Sequence, residues 1–395
     1  MGNIRFVRGQ GGMKRRLPGE DHISGIIFYS SVLPAGFSTT DRIKSVNQPL
    51  DAEALGIVNT TGSDIMLKIM HYHVAEFYRI NPGAKLFIAV YDEPIGALTF
   101  AEVETVMNFS ENKIRNLGIF TKKPFVTSML TLIQGILTTL DGQNKPISDV
   151  LLAANLVGIT TAGLSNLRAL AAPKVSGVLA QDGANEGAAL FTTAATYSIT
   201  AMGALLGAVS KSKVNECIGW VEKFQMNSVE LDVPAFANGD LVKNLTDTTL
   251  AAVDGKGWIF LLKYDTDTID SGVYFNDSHT AVPLDSDYAY IENNRTMDKA
   301  IRSVRKALLP KLNGPVNVDP QSGQLDSDYV SHLEATGDQA LSQMAKDKEL
   351  SGYQTFVNPE QNVITTSQVE VTIINVPVGV SRSFLVNVSY ATKLP

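Results

Sequence analysis

The end of the chain alternates apolar and polar residues in two runs. The first run is VITTSQVEVTIINV (363–376), the turn Pro377-Val378-Gly379 follows, and the second run is RSFLVNVSYAT (382–392). Because successive side chains of a strand point to opposite faces, each run predicts a β-strand, and together they predict a β-hairpin. A lone hairpin is at best marginally stable in water. We therefore expect this hairpin to need further strands, supplied by other copies of the protein.

Length and composition indicate a folded protein of two or three domains. Of the 395 residues, 44% are hydrophobic and 18% are charged. The net charge of −7 argues against a general nucleic-acid binder, which would carry a basic domain. The single cysteine, Cys217, cannot form an internal disulfide and fits a reducing compartment such as a cytoplasm. The N-terminal sequence MGNIRFVRGQGGMKRR lacks the apolar core of a secretory signal.

One segment has the length of a membrane span. The stretch GAALFTTAATYSITAMGALLGAVS, between Glu186 and Lys211, carries no formal charge. Ala, Gly, Thr and Ser dominate it, and it has too few large apolar residues to drive insertion. We therefore predict a helix buried by close packing. The stretch 147–172, charged only at Asp149 and Arg168, predicts a similar helix.

The remaining pattern alternates strands with helices. GIIFYSS (25–31), KLFIAVY (85–91) and GWIFLLKY (257–264) predict strands. Segments 63–80 and 100–117 predict helices between them, and 296–312 and 327–350 predict helices near the end, the last with a break at Gly337. Such alternation is typical of an α/β (mixed α+β) fold with a central mixed β-sheet flanked by helices.

No motif predicts a catalytic site, a metal site or a cofactor. His71 and His73 stand two apart on a predicted helix, so their side chains point to different faces instead of sharing a ligand site. The acidic run DTDTID (265–270) lacks the glycine and the glutamate that an EF-hand calcium loop requires. We interpret this run as a solvated acidic loop.

Charge is distributed unevenly along the chain. An N-terminal arm is basic, and the body that follows it is acidic. The opposite charges of this arm and body can attract one another between copies. The alternative, that the terminal charges only solubilise the protein, stays open. The basic N-terminal arm contains Arg5, Arg8, Lys14, Arg15 and Arg16, and the acidic body contains Asp265, Asp267, Asp270, Asp277, Asp285 and Asp287.

Several stretches resemble the tail sheath proteins of contractile phage tails and contractile injection systems. They are HYHVAEFYRINPGAKLFIAVYDEP (71–94), VNECIGWVEKFQM (214–226), the segment 271–312, and the C-terminal segment 323–390. The resemblance is one of order and spacing over most of residues 50–395. The chain is compact beside sheath proteins that carry large outward insertions.

The resemblance implies a virion structural protein that acts without a cofactor. Six copies would form a ring around an inner tail tube protein, and rings would stack into a helical polymer. Terminal strands of neighbouring subunits would complete the C-terminal β-sheet by strand exchange, and contraction would rotate the subunits as rigid bodies. Baseplate and tail terminator proteins would be further partners. The particle would be a virion tail or an injection system, assembled in the bacterial host cytoplasm.

The same resemblance assigns roles to particular residues. The donated intersubunit strand would contain Ile4, Phe6 and Val7. The receiving sheet would contain Val369, Val371, Ile373, Phe384, Val386 and Val388. Contact with the tube would come from Asp328, Glu334, Asp338, Lys346 and Lys348, and a solvated helix face stays open as the alternative for these residues.

These expectations define four segments. They are an extended N-terminal arm (1–20), an α/β sheath body (21–312, with 21–120 as an optional subdomain), a C-terminal sheath domain (313–380) and a C-terminal arm strand (381–395). Three alternatives stay open. The C-terminal strands could belong to an ordinary intramolecular sheet, the protein could be an α/β enzyme with a non-contiguous active site, or it could be a tube or baseplate component that shares the sheath domain.

Overall fold

A computed structural model describes residues 19–266 and 269–390, apart from the side chains of 265–271. The chain divides between Lys299 and Ala300 into two compact units, here called the body and the C-terminal unit. The strands of the body are β1 (Ser24–Tyr29), β2 (Ile43–Val46), β3 (Leu86–Tyr91), β4 (Asn116–Pro124), β5 (Asp149–Asn155), β6 (Val175–Val178), β7 (Ala180–Asp182), β8 (Pro234–Phe236), β9 (Trp258–Ile259), β10 (Leu261–Thr266) and β11 (Ile269–Phe275).

The helices of the body lie between these strands. They are α1 (Pro49–Ala54), α2 (Ile65–Ile80), α3 (Glu102–Phe109), α4 (Thr127–Gly142), α5 (Glu186–Ala194), α6 (Met202–Lys211) and α7 (Asp247–Gly255). Helix α8 (Ile291–Leu308) begins in the body and crosses the division between the units. The C-terminal unit continues with α9 (Ser327–Lys346), β12 (Leu350–Phe356), α10 (Val363–Thr366) and β13 (Thr372–Pro377).

A seven-stranded mixed sheet forms the centre of the body. Its order is β2-β3-β1-β4-β5-β6-β9, and only β2 runs antiparallel to its neighbour. Helices α2 and α6 cover one face, while α3 and α4 cover the other. Burial on both faces explains the continuous apolar runs: Ile26 and Phe28 pack on one side, and Ile27 and Tyr29 on the other. The α/β prediction with a central mixed sheet is therefore confirmed.

Glycines bring α2 and α6 into close contact. A Cβ atom on Gly203 would overlap the backbone of His73, and one on Gly207 would lie 2.8 Å from the carbonyl oxygen of Phe77. Small residues one helical turn apart let two helix backbones approach in this way. The second part of the uncharged segment, α6, is thus buried by close packing as predicted. Its first part forms a separate helix, α5, which is partly exposed and ends at Ala195, whose φ is +58°. Within the described residues, none of the helices combines the length and apolarity needed to cross a bilayer.

The helix predicted over 147–172 is wrong. Residues Asp149–Asn155 form β5, and a short 3-10 turn follows at Leu167–Ala169. The low charge of this stretch reflects a strand covered on both faces, with Val150 and Leu151 in opposite cores. The helix predicted over 100–117 is likewise shorter, because Glu111 and Asn112 take left-handed φ values and β4 begins at Asn116.

The C-terminal unit packs its strands against α9. This helix is unbroken at Gly337, contrary to the predicted break, because that glycine faces Thr355 of β12 and leaves room for the strand. Asp326 caps the start of the helix by accepting a hydrogen bond from the N–H of Asp328 at 2.9 Å. Leu341 and Met344 form the core of this unit with Leu350.

Candidate assembly surface

The C-terminal sheet pairs β13 with β12. Its register is antiparallel, with Thr355 opposite Ile373. The predicted hairpin is therefore wrong within the chain, because residues 378–390 form no strand and 363–366 form α10. Strand β12 was not predicted from the sequence, because Leu350 was assigned to the end of a helix. The alternation of Tyr353 and Thr355 with the exposed Gln354 and Phe356 was the available signal.

Helix α9 closes the outer edge of β12. Asp338 Oδ1 accepts a hydrogen bond from the backbone N–H of Thr355 at 2.8 Å, and Glu334 Oε1 accepts one from the N–H of Val357 at 3.0 Å. These carboxylates occupy donors that an added strand would otherwise use. The outer edge of β12 is thus protected against strand addition.

The opposite edge of the sheet belongs to β13. Because Thr355 turns its N–H away from β13, the pair Thr355–Ile373 is a non-hydrogen-bonded pair of the antiparallel ladder. Ile373 therefore directs its own backbone groups toward the far side of β13. Among the described residues the sheet has two strands, so β13 is an edge strand, and Pro377 ends it.

The outward face of this sheet is apolar. Phe356, Ile374 and Val376 are exposed, with Ile374 at 57%. Their register partners place them on one face, while Ile373 and Tyr353 pack on the opposite face against the small core of the unit. Val369 and Val371, predicted for the receiving sheet, precede β13 and pack partly buried against a second cluster around Leu333.

Residues 378–390, here called the C-terminal arm, leave the sheet after Pro377. Phe384 of the arm is 85% exposed. Arg382 is the only charged residue of this segment, so the arm is apolar and nearly uncharged. Its exposed large side chains are Phe384, Leu385, Val386, Val388 and Tyr390.

The remaining predicted residues, those of the N-terminal arm, the acidic body and the tube contact, are partly outside the described residues and partly buried or exposed. The donated strand (Ile4, Phe6, Val7) and the basic arm (Arg5, Arg8, Lys14, Arg15, Arg16) fall outside the described residues. So do the side chains of Asp265, Asp267 and Asp270. Of the remaining acidic residues, Asp277 is buried, and Asp285 and Asp287 are exposed. On α9 and just after it, Asp328, Lys346 and Lys348 are exposed, whereas Glu334 and Asp338 hold β12.

A buried polar layer anchors the first half of α8 in the body. The guanidinium of Arg295 donates hydrogen bonds to Ser212 Oγ at 2.6 Å and to the carbonyl of Lys213 at 3.2 Å. Lys174 Nζ lies 3.1 Å from Asp298 of the same helix. Burial raises the pKa of Asp149 to about 7, and neither of its carboxylate oxygens has a hydrogen-bond partner among the described residues. This layer was not predictable from local sequence patterns, because its members are scattered along the chain.

His73 and Cys217 are both buried and form hydrogen bonds within the body. His73 is buried, and burial lowers its pKa to about 3, so the neutral ring accepts a hydrogen bond from the N–H of Gly203 at 3.2 Å. Cys217, Asp277 and Glu292 are buried with ligand atoms within 4.8 Å of one another, a set that could hold a metal ion. Cys217 Sγ already donates to Asp277 Oδ1 at 3.3 Å, and Ser278 Oγ donates to Glu292.

One open groove lies near the start of α5. Its volume is about 430 Å³, and its lining includes Asn59, Lys68, Glu186 and Thr193. Asn59 Nδ2 donates to Glu186 Oε1 at 2.5 Å, so two of its polar groups satisfy each other.

Three cryo-EM structures contain chains with this fold. One is the anti-feeding prophage (AFP) baseplate, 6-fold symmetrised, at 14% identity and a TM-score of 0.61, with 99% of each chain covered. Another is an extracellular contractile injection system, the PVC sheath complex in contracted state, at 12% identity and a TM-score of 0.61, covering 98% of this chain and 99% of that chain. The third is the AFP baseplate in contracted state, at 11% identity and a TM-score of 0.57, covering 98% and 97%. At these identities the similarity shows a common fold.

The sequence comparisons give a family. No curated protein matches the chain. The profile of the DUF2586 N-terminal domain matches residues 8–279, and that of the DUF2586 C-terminal domain matches residues 287–395. Since these two matches span most of the sequence, the chain belongs to the DUF2586 family.

Proposed function

We propose that the protein is a non-catalytic structural subunit of a contractile particle, and that it forms the sheath around an inner tube. Two kinds of observation support this proposal. The fold matches chains in the AFP baseplate and PVC sheath structures over at least 98% of this chain. The C-terminal sheet also has an edge strand, β13, followed by an arm with exposed apolar side chains.

The edge of β13 beside the exposed C-terminal arm is the observation that carries the proposal. An edge strand presents backbone donors and acceptors, and an extended segment can add to it by β-augmentation. Phe384, Val386 and Val388 alternate along the arm, so they would present one apolar face to the neighbour that receives them. The arm of one copy is thus the donor for β13 of the next, and Ile4, Phe6 and Val7 would form a second donated strand.

The finer features of the proposal are geometric. Subunits would form six-membered rings that stack into a helical polymer, with the exchanged strands as hinges when the bodies rotate during contraction. The tube protein would contact α9 and the turn after it through Asp328, Lys346 and Lys348, which are exposed. Glu334 and Asp338 would have a different role, because their carboxylates hold β12. Baseplate and tail terminator proteins would bind the ends of the polymer, and assembly would occur in the bacterial host cytoplasm.

Electron microscopy of the purified protein tests the proposal. We expect the full chain to form hollow tubes. Deletion of residues 378–395, or of 1–12, should leave a folded subunit that forms no long tubes. Normal tubes from both truncated proteins would contradict strand exchange, and a full chain that stays monomeric under all conditions would contradict the sheath role.

A second candidate is a baseplate component with the sheath fold. The two AFP baseplate structures among the similar chains favour it. The same micrographs separate the candidates, because a baseplate component would stop at a single ring, whereas a sheath subunit continues into a tube of many rings.

A further inference from the structure

The second half of α8 presents an unusual surface. From Lys299 to Val318 the sequence has five basic residues and no acidic residue (KAIRSVRKALLPKLNGPVNV), although the whole protein is acidic. Ile301 and Arg305 stand four residues apart on one side of α8, and Leu309, four residues further on, begins the short 3-10 turn that follows the helix. Ile301 is 51% exposed and Leu309 is 53% exposed. This side of α8, with the adjacent Lys306, is the basic apolar face.

The charges of this face are not satisfied within the described chain. Arg305 and Lys306 are exposed, and neither forms an ion pair with a described residue. The buried side of the same helix segment, with Val304, packs in the core of the C-terminal unit. The basic apolar face is therefore available to a partner that is acidic and partly apolar.

The chain itself carries a surface of that kind. The loop Pro283–Tyr288 (PLDSDY) exposes Asp285 and Asp287 next to Leu284, which is 55% exposed, and Tyr288. The carboxylates of Asp285 and Asp287 form no ion pair with described residues. This segment is the acidic loop.

The acidic loop is held in place before any partner arrives. Ser286 N–H donates to the carbonyl of Pro283 at 3.2 Å, and Ala289 N–H donates to the carbonyl of Ser286 at 3.1 Å. From the first turn of α8, Asn293 Nδ2 donates to the carbonyl of Asp287 at 2.7 Å. A preordered loop loses little conformational entropy on binding.

We propose that the basic apolar face of one copy docks on the acidic loop of a neighbouring copy. Arg305 and Lys306 would pair with Asp285 and Asp287, while Ile301 and Leu309 would cover Leu284 and Tyr288. Complementary charge fixes which surfaces meet, and the apolar groups supply the buried area. The contact is heterologous, so it can repeat from copy to copy, around a ring or along a helix. This inference rests on the proposed self-assembly and names one body contact within it, separate from the exchanged strands.

Charge reversal in two separate variants tests the contact. Arg305→Glu with Lys306→Glu makes the face acidic, and Asp285→Lys with Asp287→Lys makes the loop basic. Each variant alone sets like charges against each other, and we expect roughly a tenfold or greater loss of association between copies, measured by sedimentation velocity at low salt. The chain with all four substitutions, and an equal mixture of the two variants, should both regain association.

The mixture is decisive because it regains association only if the contact joins different copies. Variants that associate like the wild type, or a mixture that fails to recover while each variant keeps its wild-type melting temperature, would overturn the inference. Charge reversal at Asp247 and Lys243, elsewhere on the body, is the matched control and should leave association unchanged.

Electron microscopy of the same samples separates this inference from the sheath proposal. Tubes formed equally by both charge-reversed variants would overturn the contact and leave the sheath role intact. Charge-dependent association without tubes in any sample would support the contact and contradict the sheath role.

Discussion

Asp338 on α9 accepts a hydrogen bond from the backbone N–H of Thr355 on β12, at 2.8 Å. With the equivalent bond from Val357 to Glu334, this contact makes the two edges of the C-terminal sheet unequal. One edge is closed by side chains of the same chain, and the other is the backbone of β13. This inequality gives strand addition a direction, because helix side chains occupy N–H groups at the β12 edge, whereas no further strand lies beside β13 among the described residues.

Asp338→Ala should destabilise the C-terminal unit by about 1–3 kcal/mol, since it leaves the N–H of Thr355 without its acceptor. Urea denaturation of the isolated protein measures the change. Lys346→Ala, on the exposed side of the same helix, is the control and should change stability by less than about 0.5 kcal/mol. Equal effects of the two substitutions would show that the carboxylate does not hold the strand.

Gly337→Ala should also destabilise this unit, although alanine favours helices. The new Cβ would lie 2.6 Å from Thr355 Cγ2, and overpacking of this kind costs about 1–3 kcal/mol. Gly135→Ala in α4 is the control, because its Cβ would meet no atom within 4 Å outside the backbone of its own helix, and it should stabilise the protein by up to about 1 kcal/mol. Melting temperatures that shift in the same direction for both variants would be inconsistent with this packing.

Stability should depend on pH through Asp149. Burial raises the pKa of this carboxyl from 3.8 to about 7, so the native state binds more protons than the unfolded state between about pH 4 and pH 7. Its contribution to stability is present below pH 4 and is lost as the pH rises toward 7. Asp149→Asn removes this loss, so its stability relative to the wild type should increase with pH, by about 1.4 kcal/mol per pH unit at most.

Urea denaturation of both proteins from pH 4 to pH 8 measures this difference. His73, whose pKa burial lowers, affects the two proteins alike and cancels in the comparison. Asp285→Asn on the exposed loop serves as the control. A difference between wild type and Asp149→Asn that stays constant with pH would contradict a protonated, buried Asp149.

Substitution of the arm should separate folding from assembly. Phe384→Ser with Val386→Ser changes two exposed side chains. The free energy of unfolding of the subunit should therefore change by no more than about 0.5 kcal/mol, as for other surface substitutions. Tube formation should fail, because the same side chains would be buried on a neighbour. Light scattering measures the tubes, and Val229→Ser, which changes an exposed apolar side chain of the body, is the control.

The basic N-terminal arm gives a salt-dependent prediction. Reversal of Lys14, Arg15 and Arg16 to glutamate should weaken assembly most at low salt, because screening already reduces these attractions at high salt. If this variant and the wild type give the same assembly yield at every salt concentration, an attraction between the arm and the acidic body would be contradicted.

Residues with strong local patterns were predictable from sequence. The apolar runs at Ile26 and Ile88 predicted β1 and β3, because strands that are covered on both faces have short, continuous apolar sequences. The segment 147–172 was not predictable, since Val150–Ala154 is as apolar as a buried helix and only its neighbours β4 and β6 make it a strand.

The candidate surface was predicted in part. The alternation at Val371 and Ile373 indicated a strand, but its partner β12 follows directly after α9 and was hidden by that helix. The hydrogen bonds between Thr355 and Asp338 and between Val357 and Glu334 join residues that are 17 and 23 positions apart, and local patterns cannot show such pairs. Their charges alone suggested solvent or tube contact.

The most direct test of strand exchange is a cryo-EM map of the assembled protein around β13. We predict a third strand beside Ile373, continuous with residues 382–390 of a neighbouring copy. A map in which the arm of the same copy lies on β13, or in which that edge faces solvent throughout the polymer, would contradict the account.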